Sequence, residues 1–285
     1  MSEERPWAVI LGVSSGTGAA VARQVAVDPG FNIFGVHRGR HPELAAEVER
    51  DVRATGRRIH VHVGDAGTAE GARACAEKLR EVAGPRSVKF FLHSIANASV
   101  GTFASQGKLH PKQFQKTMDS MANSFVYWTQ ELLEQEPPQQ KLPELLAPGA
   151  HLLGLSNPMV DTVLRNTGLI AASKAALEIY VRHLAHELGP RGHRVNLLKF
   201  GAVITPAVET TFGAERVKNL RDVLHRALPA RRLSTMEEVA RFIGYLAGDS
   251  AAWFNGSTID FTGGEAQGFF DALLYPDPPK TGNKS

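Results

Sequence analysis

Trp7-Ala-Val-Ile-Leu11-Gly12-Val-Ser-Ser-Gly16-Thr-Gly18 is the stretch whose reading decides the fold. Five residues without a charge describe a buried strand. The glycines directly behind them permit a tight turn that brings backbone N–H groups to the start of a helix over residues 19–27. Asp28-Pro29-Gly30 stops that helix. The unit then recurs. Residues 31–36, 59–63, 88–92, 151–155, 194–200 and 257–261 read as further strands, and 43–55, 70–82, 112–136 and 168–188 as helices between them. Such alternation implies parallel pairing in a doubly wound α/β sheet. No domain boundary is evident, so residues 1–285 are expected to form a single domain, with a core of about 7–264 and a C-terminal tail over 265–285.

A chain of 285 residues, 43% hydrophobic and 21% charged, has the composition of an ordinary folded protein with a sizeable core. The formal charge of +3 is too small to signal nucleic acid, and the pairs Arg57-Arg58 and Arg231-Arg232 have no interleaved aromatics. No run approaches the roughly 18 apolar residues of a membrane span. The first residues show no basic region followed by an apolar run, so a cytoplasmic protein without a membrane partner is expected. Cys75 is the one cysteine, which excludes an internal disulfide. The histidines lack metal-ligand spacing, and no metal is expected.

Gly12, Gly16 and Gly18 lie between a strand and a helix, where backbone amides meet phosphate oxygens, so the turn reads as a dinucleotide site. The end of the second strand selects the nucleotide. A carboxylate there would bind a ribose hydroxyl, whereas a cation accommodates a 2′-phosphate. The chain has His37-Arg38-Gly-Arg40 and no carboxylate before Glu43, which points to NADP over NAD. Asp65, after the third strand, is placed to accept from the adenine amino group. Lys174 stands on a helix beside Ala171, Ala172 and Ala175, a small apolar face suited to a dry pocket.

These residues resemble the short-chain dehydrogenase/reductase family over roughly residues 7–264. Several stretches are similar to its enoyl-acyl-carrier-protein reductase branch: His93-Ser-Ile-Ala96, Ser124-Phe-Val, Lys174-Ala-Ala-Leu-Glu and Leu188-Gly-Pro-Arg-Gly-His-Arg-Val-Asn196. Gly201-Ala-Val-Ile-Thr205 resembles the loop that holds the nicotinamide carboxamide, with Phe200 and Ala202 replacing its usual prolines. The resemblance implies a single Rossmann-type domain, seven parallel strands with helices on both faces, and a homotetramer or homodimer. It implies cofactor contacts at Gly12, Ser14, Ser15, Gly16, Thr17, Gly18, His37, Arg38, Asp65, Ala66, Ser94, Ile95, Ala96, Lys174, Val203 and Thr205.

The family's proton-donating tyrosine precedes its lysine by four residues, or by seven in the enoyl-reductase branch. Those positions hold Ile170 and Thr167. The helix asparagine of the family's relay falls near Met121, with Asn123 off register. Catalysis is therefore expected from Lys174, Ser156 at the position of the substrate-orienting serine, and Thr167 as a substitute hydroxyl. Tyr127 and Tyr275 lie outside the expected slot and are further hydroxyls able to reach in from elsewhere in the fold, with packing or surface the other reading of each. The expected activity is NADPH-dependent reduction of a carbonyl or conjugated enoyl small molecule, including carrier-protein- or CoA-linked substrates. The alternatives are a non-catalytic NADP sensor or partner subunit, and redox-neutral lyase or isomerase chemistry. Residues 137–148 and 206–229 are expected to determine the substrate.

Overall fold

The structure, a computed structural model, describes residues 5–134, 142–204 and 206–268 together with Ala272 and Leu274. Its strands are β1 (Trp7–Leu11), β2 (Asn32–His37), β3 (Ile59–Val63), β4 (Val88–His93), β5 (Leu146–Ser156), β6 (Arg194–Phe200) and β7 (Thr258–Phe261). All seven pair in parallel, in the order β3-β2-β1-β4-β5-β6-β7. The helices are α1 (Gly16–Val27), α2 (Pro42–Ala54), α3 (Ala69–Ala83), α4 (Pro111–Met118), α5 (Ser124–Leu132), α6 (Gly168–Leu188), α7 (Pro206–Phe212), α8 (Ala214–Ala227) and α9 (Met236–Ala247).

The apolar run at β1 exists because both faces of the sheet are covered. Side chains alternate along the strand. Trp7, Val9 and Leu11 pack with Phe34, Phe91, Trp128 and Leu177 in a core that joins the sheet to α3, α5 and α6. Ala8 and Ile10 pack with Val21, Val48, Phe90 and Ile243 on the opposite face, against α1, α2 and α9. Each large apolar side chain buried in this way contributes roughly 1.5–3 kcal/mol.

From β1 the chain first builds outward through β2 and β3, then crosses back to place β4 on the other side of β1. Connections that leave in opposite directions open a crevice at the carboxyl ends of β1 and β4. Register puts Leu11 beside both Val36 and His93, and His93 beside Gly154. The residues that follow these strands therefore share one edge.

Two expectations need correction. The helix expected over 112–136 is broken into α4, a π-helical turn at Asp119–Asn123 and α5, which ends at Leu132. The Ser120 hydroxyl bonds to the carbonyls of Lys116 (2.8 Å) and Asn97 (2.7 Å), and this local competition for backbone acceptors accompanies the change of helical register. The fifth strand begins at Leu146, five residues before the expected 151. Of the residues expected to help choose the substrate, 142–145 thus precede β5 and 146–148 form its amino end, away from the carboxyl edge; 135–141 and Tyr275 lie outside the described residues.

Candidate active site

The glycine turn is built by close backbone contact. Gly12 has φ +83°, its N–H donates to Val36 O at 2.8 Å, and a Cβ there would lie 2.4 Å from Ser94 O. Gly18 is tighter, because its Cβ would lie 2.2 Å from Gly12 O. Gly16 differs: its φ is +57°, yet a Cβ would meet nothing within 4 Å. The turn is flush on its protein side and open at Gly16. Ser15 precedes α1 without a side-chain cap bond, and the first turn of α1 has no acidic residue. Ser14, Ser15, Gly16 and Thr17 therefore frame uncapped amides at a helix N-terminus, which a diphosphate fits.

His37 and Arg38 follow at the end of β2. His37 is buried, its Nδ1 has no partner among the described residues, and burial holds its pKa below the usual range. Arg38 makes no hydrogen bond or ion pair among the described residues, and its pKa is lowered by burial and Arg40 against the pull of Asp65. The guanidinium remains charged at any working pH. Asp65 is exposed and accepts from Gly67 N–H at 3.1 Å, while buried Ala66 accepts from Trp128 Nε1 at 3.1 Å. Ser94 N–H donates to Leu11 O at 3.2 Å, and Ile95 and Ala96 continue the loop beyond it. Val203 is buried in the loop after β6; Thr205 lies outside the described residues.

Lys174 is 6% exposed and donates to Leu155 O at 2.7 Å. Its nitrogen is thereby held one peptide unit from Ser156, whose buried Oγ has no hydrogen-bond partner among the described residues. Burial lowers the Lys174 pKa to about 8. Of the alanines expected beside it, Ala171 is half-buried while Ala172 and Ala175 are exposed; Ser173 and Leu177 are the buried neighbours on α6. Thr167 is buried immediately before α6, but its hydroxyl donates to Leu164 O at 2.9 Å. Asn123 is also engaged, donating to Asp119 Oδ1 and accepting from Tyr180 O–H, each at 2.9 Å. Tyr127 O–H donates to the same Asp119 oxygen at 3.0 Å.

His93 packs beside Lys174. It is fully buried at the end of β4, with Nε2 2.7 Å from Ser124 Oγ and its pKa lowered to about 3 by burial and by Lys174. Its resemblance to a family segment drew attention to the position, but its bond to a serine on α5 has no signature in spacing. His151 is likewise pushed down, to about 4, mainly by burial. Both stay neutral in the folded protein, while an unfolded histidine takes up its proton near pH 6.5. Their stabilising contribution is complete above about pH 6.5 and falls as the pH drops toward the folded values. Urea midpoints are accordingly expected to decline between pH 6.5 and 4, and His151→Leu to flatten that decline.

Among the described residues no group of three or more His, Cys, Asp or Glu side chains is placed to hold a metal ion, and no helix is long and apolar enough to cross a membrane. Residues 12–265 match the family model described as enoyl-(acyl carrier protein) reductase. The chain belongs to that family, a branch of the short-chain dehydrogenase/reductases. This family member is similar to a 1-cyclohexenylcarbonyl-CoA reductase of Streptomyces collinus, 26% identical over 98% of this chain and 95% of that one. It is also 32% identical to the Escherichia coli enoyl-[acyl-carrier-protein] reductase [NADH], over 42% of this chain and 45% of that one. Among solved structures, an L-sorbose reductase of Gluconobacter frateurii, complexed with NADPH and L-sorbose, shares the fold of this family at a TM-score of 0.76. Its identity is 22%, over 93% of this chain and 97% of that one. A Serratia marcescens short-chain dehydrogenase/reductase mutant aligns at a TM-score of 0.78 and 20% identity, over 92% and 98% of the two chains. The protein is an oxidoreductase of the short-chain dehydrogenase/reductase type.

Proposed function

We propose that this protein is an NADPH-dependent reductase of a conjugated acyl thioester or a related carbonyl compound. The observation that carries the reading is a buried Lys174 ammonium, held on the carbonyl that precedes Ser156, beside the unpartnered hydroxyl of that serine, on the sheet edge that also bears the open glycine turn. A reduced nicotinamide supplies hydride. The residues that would hold NADPH are those of the turn, Arg38 at the 2′-phosphate, Asp65 at the adenine, the loop from Ser94 to Ala96, Lys174, and Val203 with Thr205. Ser156 donates to the substrate oxygen, and Lys174 places positive charge where negative charge develops. The similarity to a cyclohexenylcarbonyl-CoA reductase along nearly the whole chain supports a CoA-linked enoyl group. Carrier-linked acyl groups belong to the same proposal.

NADPH oxidation is to be followed with cyclic and linear enoyl-CoA thioesters, carrier-linked enoyl groups, quinones and polycyclic ketones. Turnover of an enoyl thioester is the expected result. Tight NADPH binding without turnover of any of them would favour the non-catalytic sensor. Two variants sharpen the assignment. Arg38→Ala is expected to weaken NADPH on the order of 10–100-fold, the value of charged hydrogen bonds, and to leave NADH affinity unchanged in a fluorescence titration. Ser156→Ala is expected to lower kcat by roughly 10²–10³-fold, as for loss of an oxyanion donor. Thr167→Val should leave kcat near wild type, since the threonine proton is given to Leu164 O.

A further inference from the structure

Hydride placed on carbon leaves negative charge on the acceptor, and a proton must meet it. Most hydroxyl protons around α6 are already given away. Thr167 donates to Leu164 O (2.9 Å), Ser173 to Ile170 O (2.8 Å), Tyr180 to Asn123 (2.9 Å) and Tyr127 to Asp119 (3.0 Å). The Ser156 hydroxyl is unpartnered, but an alcohol donates a hydrogen bond far more readily than it releases a proton. His93 is neutral and bonded to Ser124. Lys174 carries three N–H donors, of which Leu155 O takes one among the described residues.

We propose that Lys174 is itself the acid of this site, giving a proton from Nζ to the substrate oxygen that Ser156 holds. The proposal rests on the reductase reading above. In an enoyl thioester, hydride from NADPH forms the new C–H bond at the β-carbon, and the π pair of the C=C bond shifts to the carbonyl oxygen. One Nζ–H bond breaks as that oxygen forms its O–H bond, leaving a neutral amine on Lys174. The enol rearranges to the saturated thioester, the dinucleotide leaves oxidised by two electrons, and solvent reprotonates the amine.

Electrostatics around Lys174 agree with this role. Its pKa, lowered to about 8 by burial, keeps the amine charged at neutral pH yet close to releasing its proton. His93 on β4 faces it and is neutral. The other ionisable groups on the packed elements are occupied or exposed. Asp119 of the π-helical turn is bonded to Tyr127 and Asn123, Lys199 of β6 pairs with Asp161, and Arg194 of β6 donates to Ala252 O. Glu178 on α6 accepts from Thr258, while Lys112 and Lys116 on α4 are exposed.

The test joins titration to kinetics. With ¹³Cε-labelled lysine, the Lys174 resonance of wild type, assigned by its loss in Lys174→Arg, should titrate near pH 8, and kcat/KM for an enoyl thioester should fall through the same range. Lys174→Arg keeps the charge on a group that does not release it. Its turnover should drop on the order of 10²–10⁴-fold, with no falling limb near pH 8 and with NADPH still bound in a fluorescence titration. A Lys174 resonance that stays protonated through pH 10 in wild type would overturn the proposal without recourse to any variant. A falling limb that survives unchanged in Lys174→Arg would also overturn it, while leaving the reductase reading intact. Absence of turnover with every substrate would end both.

Discussion

Gly18→Ala is expected to abolish NADPH binding and to destabilise the fold by about 1–3 kcal/mol, the usual range for overpacking. The cause is local. An added methyl at residue 18 would lie 2.2 Å from the Gly12 carbonyl oxygen, which is backbone and has no rotamer with which to yield. Relief requires the first turn of α1 to move away from the strand, and the amides that frame the phosphate site move with it. A misplacement of about 1 Å is enough to cost on the order of 100-fold in a positioned interaction. Differential scanning fluorimetry separates the two effects. Without nucleotide the melting temperature should fall by roughly 2–12 °C. Added NADPH should raise it in wild type by mass action and leave it unchanged in the variant. Gly16→Ala is the control for the steric part of the stability loss, since its methyl meets no protein atom and only the left-handed φ costs, about 1–2 kcal/mol.

Lys174→Met is expected to lower kcat/KM for an enoyl thioester on the order of 10²–10⁴-fold, with a melting temperature close to that of wild type. Stability and activity part company because the ammonium is a burden to the fold. Burial has lowered its pKa from the ordinary 10.5 to about 8, so folding with the amine charged at neutral pH opposes desolvation. Methionine removes that opposition and occupies similar volume, while Leu155 O loses its donor, a penalty of about 1–3 kcal/mol. The two effects offset. A variant that melted normally and kept a tenth or more of wild-type kcat/KM would contradict a catalytic role for Lys174.

The fold was legible because its signals are local and repeated. An apolar run at β1, a glycine turn and a helix with a stop at Asp28-Pro29-Gly30 describe one βα unit, and alternation describes the rest. Where long-range pairing extends an element, the local signal falls short. Residues 146–150 fall outside the strand expected over 151–155, yet Leu146 pairs with Val88 and carries β5 five residues further. The π-helical turn at Asp119–Asn123 was equally hidden, since the apolar pattern from Phe114 to Trp128 is compatible with an uninterrupted helix.

At the site, residue types could be read but their partners could not. Lys174 and Ser156 stood out by position, whereas the Leu155 carbonyl that fixes Lys174 is a backbone atom common to every residue. The bond from Thr167 to Leu164 O is likewise made to a backbone atom and leaves no mark in the sequence. The alanines beside Lys174 suggested a dry wall, but helix geometry turns Ala172 and Ala175 outward. His93 shows the same limit: its neutrality arises from complete burial and from Lys174, two consequences of tertiary packing.

Hydride is expected to pass from NADPH to a substrate held at Ser156 and Lys174. Single turnover with NADPH deuterated at C4 in each stereochemical position, followed by mass spectrometry of the recovered thioester, tests it most directly. One deuterium is expected in the saturated product from one of the two labelled forms, and none from Lys174→Met on the wild-type timescale. Recovery of unchanged enoyl thioester from both forms with wild-type protein saturated with NADPH would contradict it.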